Sequence, residues 1–189
     1  GDHWFQDVLA RYAGQRANVE VNGDDLAVFQ YTGGTTGIPK AAMSTHAALV
    51  ANTLQCQAWL SRPGVQESFL AAIPLFHVFG MVAVMSFAVS RHALMIMVPN
   101  PRDIIEVVDN VHHYKPTLFM GVPAMFNAIN NCPGVIDKKY DLSSIYACIS
   151  GSAPLPPSTK RRFEELAGGV ILEGFGMSEA PTASHVNPV

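Results

Sequence analysis

Charge is what these 189 residues have least of: Asp, Glu, Lys and Arg together make up 14%, against roughly 25% in ordinary soluble proteins. With 12 basic and 15 acidic side chains the net charge is −3. No basic run is present that would neutralise a row of phosphates, which argues against sequence-independent nucleic acid binding. Cysteine is scarce too. Cys56, Cys132 and Cys148 are odd in number, widely spaced and without CxxC pairing, so they read as small buried hydrophobes in a reducing compartment, not as a disulfide framework or zinc site. The opening GDHWFQDVLARYAG lacks the basic start and unbroken apolar stretch of an export signal, and a cytoplasmic location is expected. What the chain has instead is apolar mass: 49% hydrophobic residues fill one sizeable core and exclude disorder. So few charges leave a complete surface uncovered, and the expectation is a slice of a larger protein.

No charged residue occurs from Phe69 to Ser90, and roughly 20 apolar residues suffice to cross a bilayer. Pro74, His77 and Gly80 interrupt that run. They predict a buried strand, a Pro-Leu-Phe-His loop and a buried helix over about 78–89, with a membrane span as the alternative.

Elsewhere β-branched and aromatic runs alternate with helix-length segments. Strands are predicted at 27–31, 69–73, 94–98, 117–120, 145–149 and 170–172. Helices are predicted at about 45–60, 78–90, 102–113, 123–131 and 156–167, the last closed by Gly168-Gly169. Residues 1–25 read as a leading helix (about Trp4 to Tyr12) and linker, and 26–189 as a layered α/β unit with a mostly parallel sheet and helices on both faces.

Four motifs carry chemistry. Tyr31-Thr-Gly-Gly-Thr-Thr-Gly-Ile-Pro-Lys40 follows a predicted strand; Gly33, Gly34 and Gly37 permit close backbone approach, Thr32, Thr35 and Thr36 offer hydroxyls, and Lys40 a point charge. These are the parts of a polyphosphate-wrapping loop. It is not a Walker A loop, because Pro39 precedes the lysine and Ala41 follows it. Glu173-Gly-Phe-Gly-Met-Ser-Glu179 fails as a dinucleotide fingerprint, since Glu179 stands at the third glycine position. It offers an aromatic face, a hydroxyl and a carboxylate; a surface turn with an incidental acid is the alternative. Ser150-Gly-Ser-Ala-Pro154 leaves room for a flat ligand after a strand. In Pro74-Leu-Phe-His77-Val-Phe-Gly80 a single histidine sits among apolar neighbours, where a core histidine satisfied by a backbone carbonyl competes with a ligand-binding one.

YTGGTTGIPK, PLFHVFG, SGSAPLP and EGFGMSEA, in that order, resemble the signatures of the adenylate-forming (AMP-binding) superfamily, and the resemblance covers roughly residues 4 to 189. PLFHVFG and GVPAMF (121–126) look most like a fatty acyl-CoA synthetase. The resemblance implies ATP-dependent conversion of a carboxylic acid to acyl-adenylate and pyrophosphate, then displacement of AMP by the thiol of coenzyme A, with Mg²⁺. It implies that Thr32, Gly33, Gly34, Thr35, Thr36, Gly37 and Lys40 hold the β- and γ-phosphates and that Gly151, Ser152 and Ala153 line the adenine. Gly174, Phe175, Gly176 and Met177 would continue that nucleotide site, with Phe175 on the adenine face. Ser178 would reach the α-phosphate, Glu179 would hold the metal, and His77 would lie near the reacting carboxylate. Phe76, Val78, Gly121 and Pro123 are candidate acyl-pocket walls. Ala41, where glycine is usual, is expected to restrict the start of the following helix; Phe175 and Ser178 replace tyrosine and threonine. The N-terminal subdomain, the ribose-binding aspartate and the C-terminal lid domain with its lysine are not in this stretch. The slice alone is therefore expected to be inactive and to self-associate, with peripheral membrane contact open for the longer protein. An adenylating enzyme for an aryl or amino acid, or a non-catalytic nucleotide-binding module, remains as the alternative.

Overall fold

The computed structural model describes residues 2–32, 39–180 and 182–188. After α1 (Phe5–Arg11), which buries no residue, β1 (Leu26–Thr32) and β2 (Lys40–Thr45) pair antiparallel as a sheet of their own. β2 is a correction to the sequence reading, which runs from the phosphate-loop motif directly into a helix. Lys40, Ala41 and Ala42 instead pair with Thr32, Tyr31 and Gln30. Ala41 therefore lies in a strand, where it cannot restrict a helix start. The helix itself, α2 (His46–Leu60), opens where Thr45 Oγ1 accepts from the Ala48 amide at 3.2 Å, satisfying one donor of its first turn.

The main sheet has six strands in the order β4-β3-β5-β6-β7-β8, from β3 (Ser68–Ala71), β4 (Leu94–Met97), β5 (Leu118–Gly121), β6 (Ala147–Ser150), β7 (Val170–Met177) and β8 (Thr182–Val186). The first five are parallel, and only β8 runs antiparallel. Alternation along each strand sorts side chains to opposite faces. Leu70, Phe119, Cys148 and Ile171 meet a core with Val107, Val108, Phe126 and Phe163, the inward stripes of α5 (Ile104–Tyr114), α6 (Pro123–Asn130) and α8 (Pro157–Ala167). Phe69, Ala71, Leu118, Met120, Ile149 and Leu172 face the other side, with Cys56 and Leu60 of α2 and Ala83, Val84 and Phe87. Helices thus cover both faces of a parallel sheet, as the strand–helix alternation predicts.

Residues 69–90 divide as their breakers dictate. β3 ends, the chain turns through Pro74 to His77, and a helical segment follows as α3 (Val78–Gly80), a π-helical turn over Met81–Ser86, and α4 (Phe87–Ser90). A Cβ on Gly80 would stand 2.2 Å from the Pro74 carbonyl oxygen, so only glycine lets this helix begin against its own turn. Among the described residues no helix is long and apolar enough to cross a membrane.

The amino ends of the parallel strands are tied by a buried carboxylate. Glu67, before β3, accepts from Thr117 Oγ1 at 2.6 Å and from Arg62 Nε at 3.4 Å, and the Arg62 guanidinium lies 3.5 Å from the Tyr146 ring centre. Paired in this way, the buried charge is not left uncompensated. A short α7 (Pro133–Ile136), which no periodicity announces, completes the helices.

Candidate functional site

The carboxyl ends of the parallel strands gather three of the four motifs around one cavity of about 240 Å³. This is where open α/β sheets bind ligands. His77 and Val78 come from the turn after β3, Gly151 and Ser152 from the loop after β6, and Gly174, Phe175, Gly176, Met177 and Ser178 from β7 and its turn. Phe79, Ala83 and Ile149 supply much of the apolar lining. A larger groove of about 690 Å³ runs between α2 and β8, and of the described motif residues only Ala180 lines it. Size therefore does not single out the site; the convergence of separate chain segments does.

The Gly174–Met177 stretch corrects the sequence reading, which makes it a loop. Beyond the Ser150–Glu173 pairing, where β6 ends, β7 continues into an antiparallel hairpin with β8. Its glycines allow two close approaches. A Cβ on Gly176 would lie 1.6 Å from the Thr182 carbonyl oxygen, and one on Gly174 would lie 2.8 Å from Ile149 Cγ2. Phe175 is 60% exposed, its ring centre 6.2 Å from that of its cross-strand neighbour His185. Glu173 ties two motifs together: its Oε1 accepts from the Leu155 amide at 2.8 Å, holding the 151–155 loop against β7.

His77 is exposed and caps α3, Nδ1 accepting from the Phe79 amide at 3.2 Å. The core histidine satisfied by a backbone carbonyl is thereby overturned. With Nδ1 committed as an acceptor, the proton of the neutral ring resides on Nε2, leaving a donor for a ligand. Ser178 is half-buried and Glu179 exposed in the β7–β8 turn. Ser152 is held at φ 69°, a left-handed conformation uncommon outside glycine.

Other predicted residues lie outside the cavity lining. Ala153 is exposed beside it. Phe76 is 83% exposed, Pro123 starts α6, and Gly121 leaves room for the Phe126 ring, 3.0 Å from where its Cβ would be. Thr32 and Lys40 face each other at the end of the small sheet, with Thr32 Oγ1 donating to the Lys40 carbonyl at 3.3 Å. That sheet is separate from the six strands, so the phosphate-loop motif does not extend from a parallel strand as the other three do. Gly33, Gly34, Thr35, Thr36 and Gly37 lie outside the described residues.

Sequence reasoning misses the residues that hold β8. Asn52 of α2, buried, donates from Nδ2 to the Ala183 carbonyl at 2.8 Å and accepts at Oδ1 from the Ala183 amide at 3.1 Å. Thr182, buried with φ 89°, donates from Oγ1 to the Val78 carbonyl at 2.6 Å. Only a helical Asn in an apolar context marks the first, and nothing local marks the second. Cys56 borders the cavity, but burial pushes its thiol up to about 11, and burial raises Cys148 as well. Neither is a ready thiolate nucleophile at neutral pH. Among the described residues no three His, Cys, Asp or Glu side chains cluster as a metal cage.

Known proteins resemble this chain in sequence and fold. The profile of the AMP-binding enzyme family matches residues 3–189. A long-chain-fatty-acid–CoA ligase of Bacillus subtilis (strain 168) is 43% identical over 167 residues, 86% of this chain and 29% of that protein. One from Haemophilus influenzae is 34% identical over 192 residues, 98% of this chain and 34% of that protein. The crystal structure of ATP-bound MatB from Rhodopseudomonas palustris superposes with a TM-score of 0.81 at 29% identity, over 97% of this chain and 35% of that one. The chain spans about a third of the length of the curated relatives it matches. Its motifs, its fold and the family profile agree: the chain belongs to the AMP-binding enzymes, the adenylate-forming superfamily.

Proposed function

We propose that this chain forms the nucleotide- and acid-binding part of an enzyme that activates a carboxylic acid, best a long-chain fatty acid, with ATP. In this reading residues 26–189 are the central α/β subdomain of the AMP-binding domain and 1–25 its leading helix and linker. A carboxylate is a poor electrophile, and attack of its oxygen on the α-phosphorus, with loss of pyrophosphate, gives a mixed anhydride with a good leaving group. The thiol of coenzyme A then adds at the acyl carbon, AMP departs, and the thiol proton is lost. The single observation that carries the reading is the meeting of His77, Gly151 to Ser152 and Gly174 to Ser178, three motifs distant in sequence, at one cavity.

The residues divide the work by their chemistry. Lys40, Thr32 and the glycine–threonine loop between them suit the β- and γ-phosphates. Gly151, Ser152 and Ala153 border a flat base, and the exposed Phe175 offers it a ring face. Ser178 offers a hydroxyl to the α-phosphate. His77 Nε2–H donates where negative charge lies on the attacking carboxylate and the phosphate. Val78, Phe79, Ala83 and Ile149 give the acyl chain an apolar wall, which together with the two fatty-acid ligases among the relatives supports a long-chain substrate. Mg²⁺ fits a donor set of one carboxylate completed by phosphate oxygens and water. Glu179, exposed and without an ion pair among the described residues, would hold it, and the ion would supply charge neutralisation between the phosphates. The exposed Trp4, Phe5, Phe29, Tyr31 and Met43 lead us to expect self-association of the isolated chain, which light scattering over a dilution series checks: a monomer at high concentration contradicts it.

ATP–pyrophosphate exchange by the enzyme at its natural length, across a panel of carboxylic acids, tests the function. Exchange that rises with alkyl chain length is expected. Exchange with aryl or amino acids alone overturns the substrate, and nucleotide binding without exchange for any acid overturns the catalysis.

A further inference from the structure

We propose that Asn52 and Thr182 are positioning residues that lock the start of β8, and with it the Ser178–Glu179 turn, at a fixed place relative to His77. The inference rests on the activity proposed above but adds residues that none of the four motifs supplies.

β8 is an edge strand, and Thr182 and Ala183 are its first two residues. Edge strands have an unpaired row of amides and carbonyls and shift register easily unless something holds them. Here the hold comes from helices on the same side of the sheet. The Asn52 carboxamide has the groups of a peptide unit, and it meets both the N–H and the C=O of Ala183. One side chain on α2 thus stands in for one residue of a neighbouring strand. On the adjacent residue, Thr182 Oγ1 reaches the carbonyl of Val78, the residue next to His77 and the first of α3.

Thr182 is held at φ 89°, where a β-branched residue is an outlier that persists only if its surroundings over-determine it. They do. The hydroxyl is fixed from Val78, the next residue is fixed from Asn52, and the Thr182 carbonyl presses on Gly176, where a side chain has no room. The hairpin therefore enters its turn at one angle. His77 and Ser178 both line the cavity, and the Thr182–Val78 bond is a direct link between the segments that carry them. For an in-line attack the two reacting groups must be held at near-contact distance, and small displacements are costly. The clamp thus serves the step in which carboxylate and α-phosphate meet, whereas attack of the thiol on an adenylate already formed depends on it less.

Thr182→Val keeps the shape and the strained backbone and removes only the hydroxyl, whereas Thr182→Ser keeps the hydroxyl. In the natural-length enzyme, single-turnover formation of acyl-adenylate is expected to slow on the order of tenfold in the Val variant and to return close to wild type in the Ser variant. Thioester formation from supplied acyl-adenylate should stay within about twofold. A variant with merely less folded protein would lose both half-reactions in the same proportion. Equal losses in the two half-reactions, or equal behaviour of the Val and Ser variants, overturn the proposal. Should Thr182→Val not fold, Asn52→Leu, similar in size and without either bond to Ala183, carries the same comparison. If the wild type makes no adenylate with any acid, the functional reading fails by itself, and amide hydrogen exchange decides the clamp: faster exchange at Val78–Gly80 and Ala183 in the Val variant than in the Ser variant supports it, and unchanged exchange overturns it.

Discussion

Cys56 is the residue whose environment makes the clearest solution prediction. It borders the cavity, and burial raises its thiol from an ordinary 9.0 to about 11. A group raised in the folded state stabilises the fold fully below its unfolded value and loses that contribution as pH climbs to the folded one. Between pH 9 and about 11 the unfolded thiol ionises while the folded one does not, and up to about 3 kcal/mol of stability is lost. Tyr146, raised to about 12 mainly by burial, extends the same trend to higher pH. Denaturant unfolding at pH 8 and pH 10.5 is expected to show a smaller alkaline loss in Cys56→Ala than in wild type; equal losses would assign the effect to other groups. The sequence marks this cysteine as a buried hydrophobe, and so it is. It does not mark His77 as a helix cap, because the cap depends on a ring nitrogen meeting an amide two residues on, a matter of rotamer and not of pattern.

Among the elements, the parallel strands are legible because each is a short apolar run between breakers, and both cores follow from their alternation. β2 and β8 are not. Lys40–Thr45 and Thr182–Val186 are rich in small and polar residues with little intrinsic strand preference. β2 exists through its pairing with β1, and β8 through β7 and an asparagine 131 residues away in sequence. The glycines that make Gly174–Met177 read as a loop are there because the hairpin's strands approach closely. Their spacing predicts an unequal response: Gly176→Ala sets a Cβ 1.6 Å from backbone, whereas Gly174→Ala meets a movable side-chain methyl at 2.8 Å. In urea unfolding the Gly174 variant is expected to lose about 1–3 kcal/mol, as overpacked sites do, and the Gly176 variant more. Equal losses would mean that β7 and β8 pair in a different register.

At the scale of the whole molecule, the sheet brings chain segments a hundred residues apart to its carboxyl edge, while the phosphate-loop motif stands on a sheet of its own. The family was legible in the order of four motifs, and the cavity was not, because it arises from a hairpin and two helix clamps that no local pattern encodes. In the proposed reaction that cavity is the place where the activated acid is held. Amide hydrogen exchange of the natural-length enzyme, with and without a saturating hydrolysis-resistant acyl-adenylate analogue, tests this most directly. Protection is predicted at His77–Gly80, Gly151–Ala153 and Gly174–Ser178 together. Tight binding that leaves these segments unprotected, or that protects the groove between α2 and β8 in their place, would contradict it.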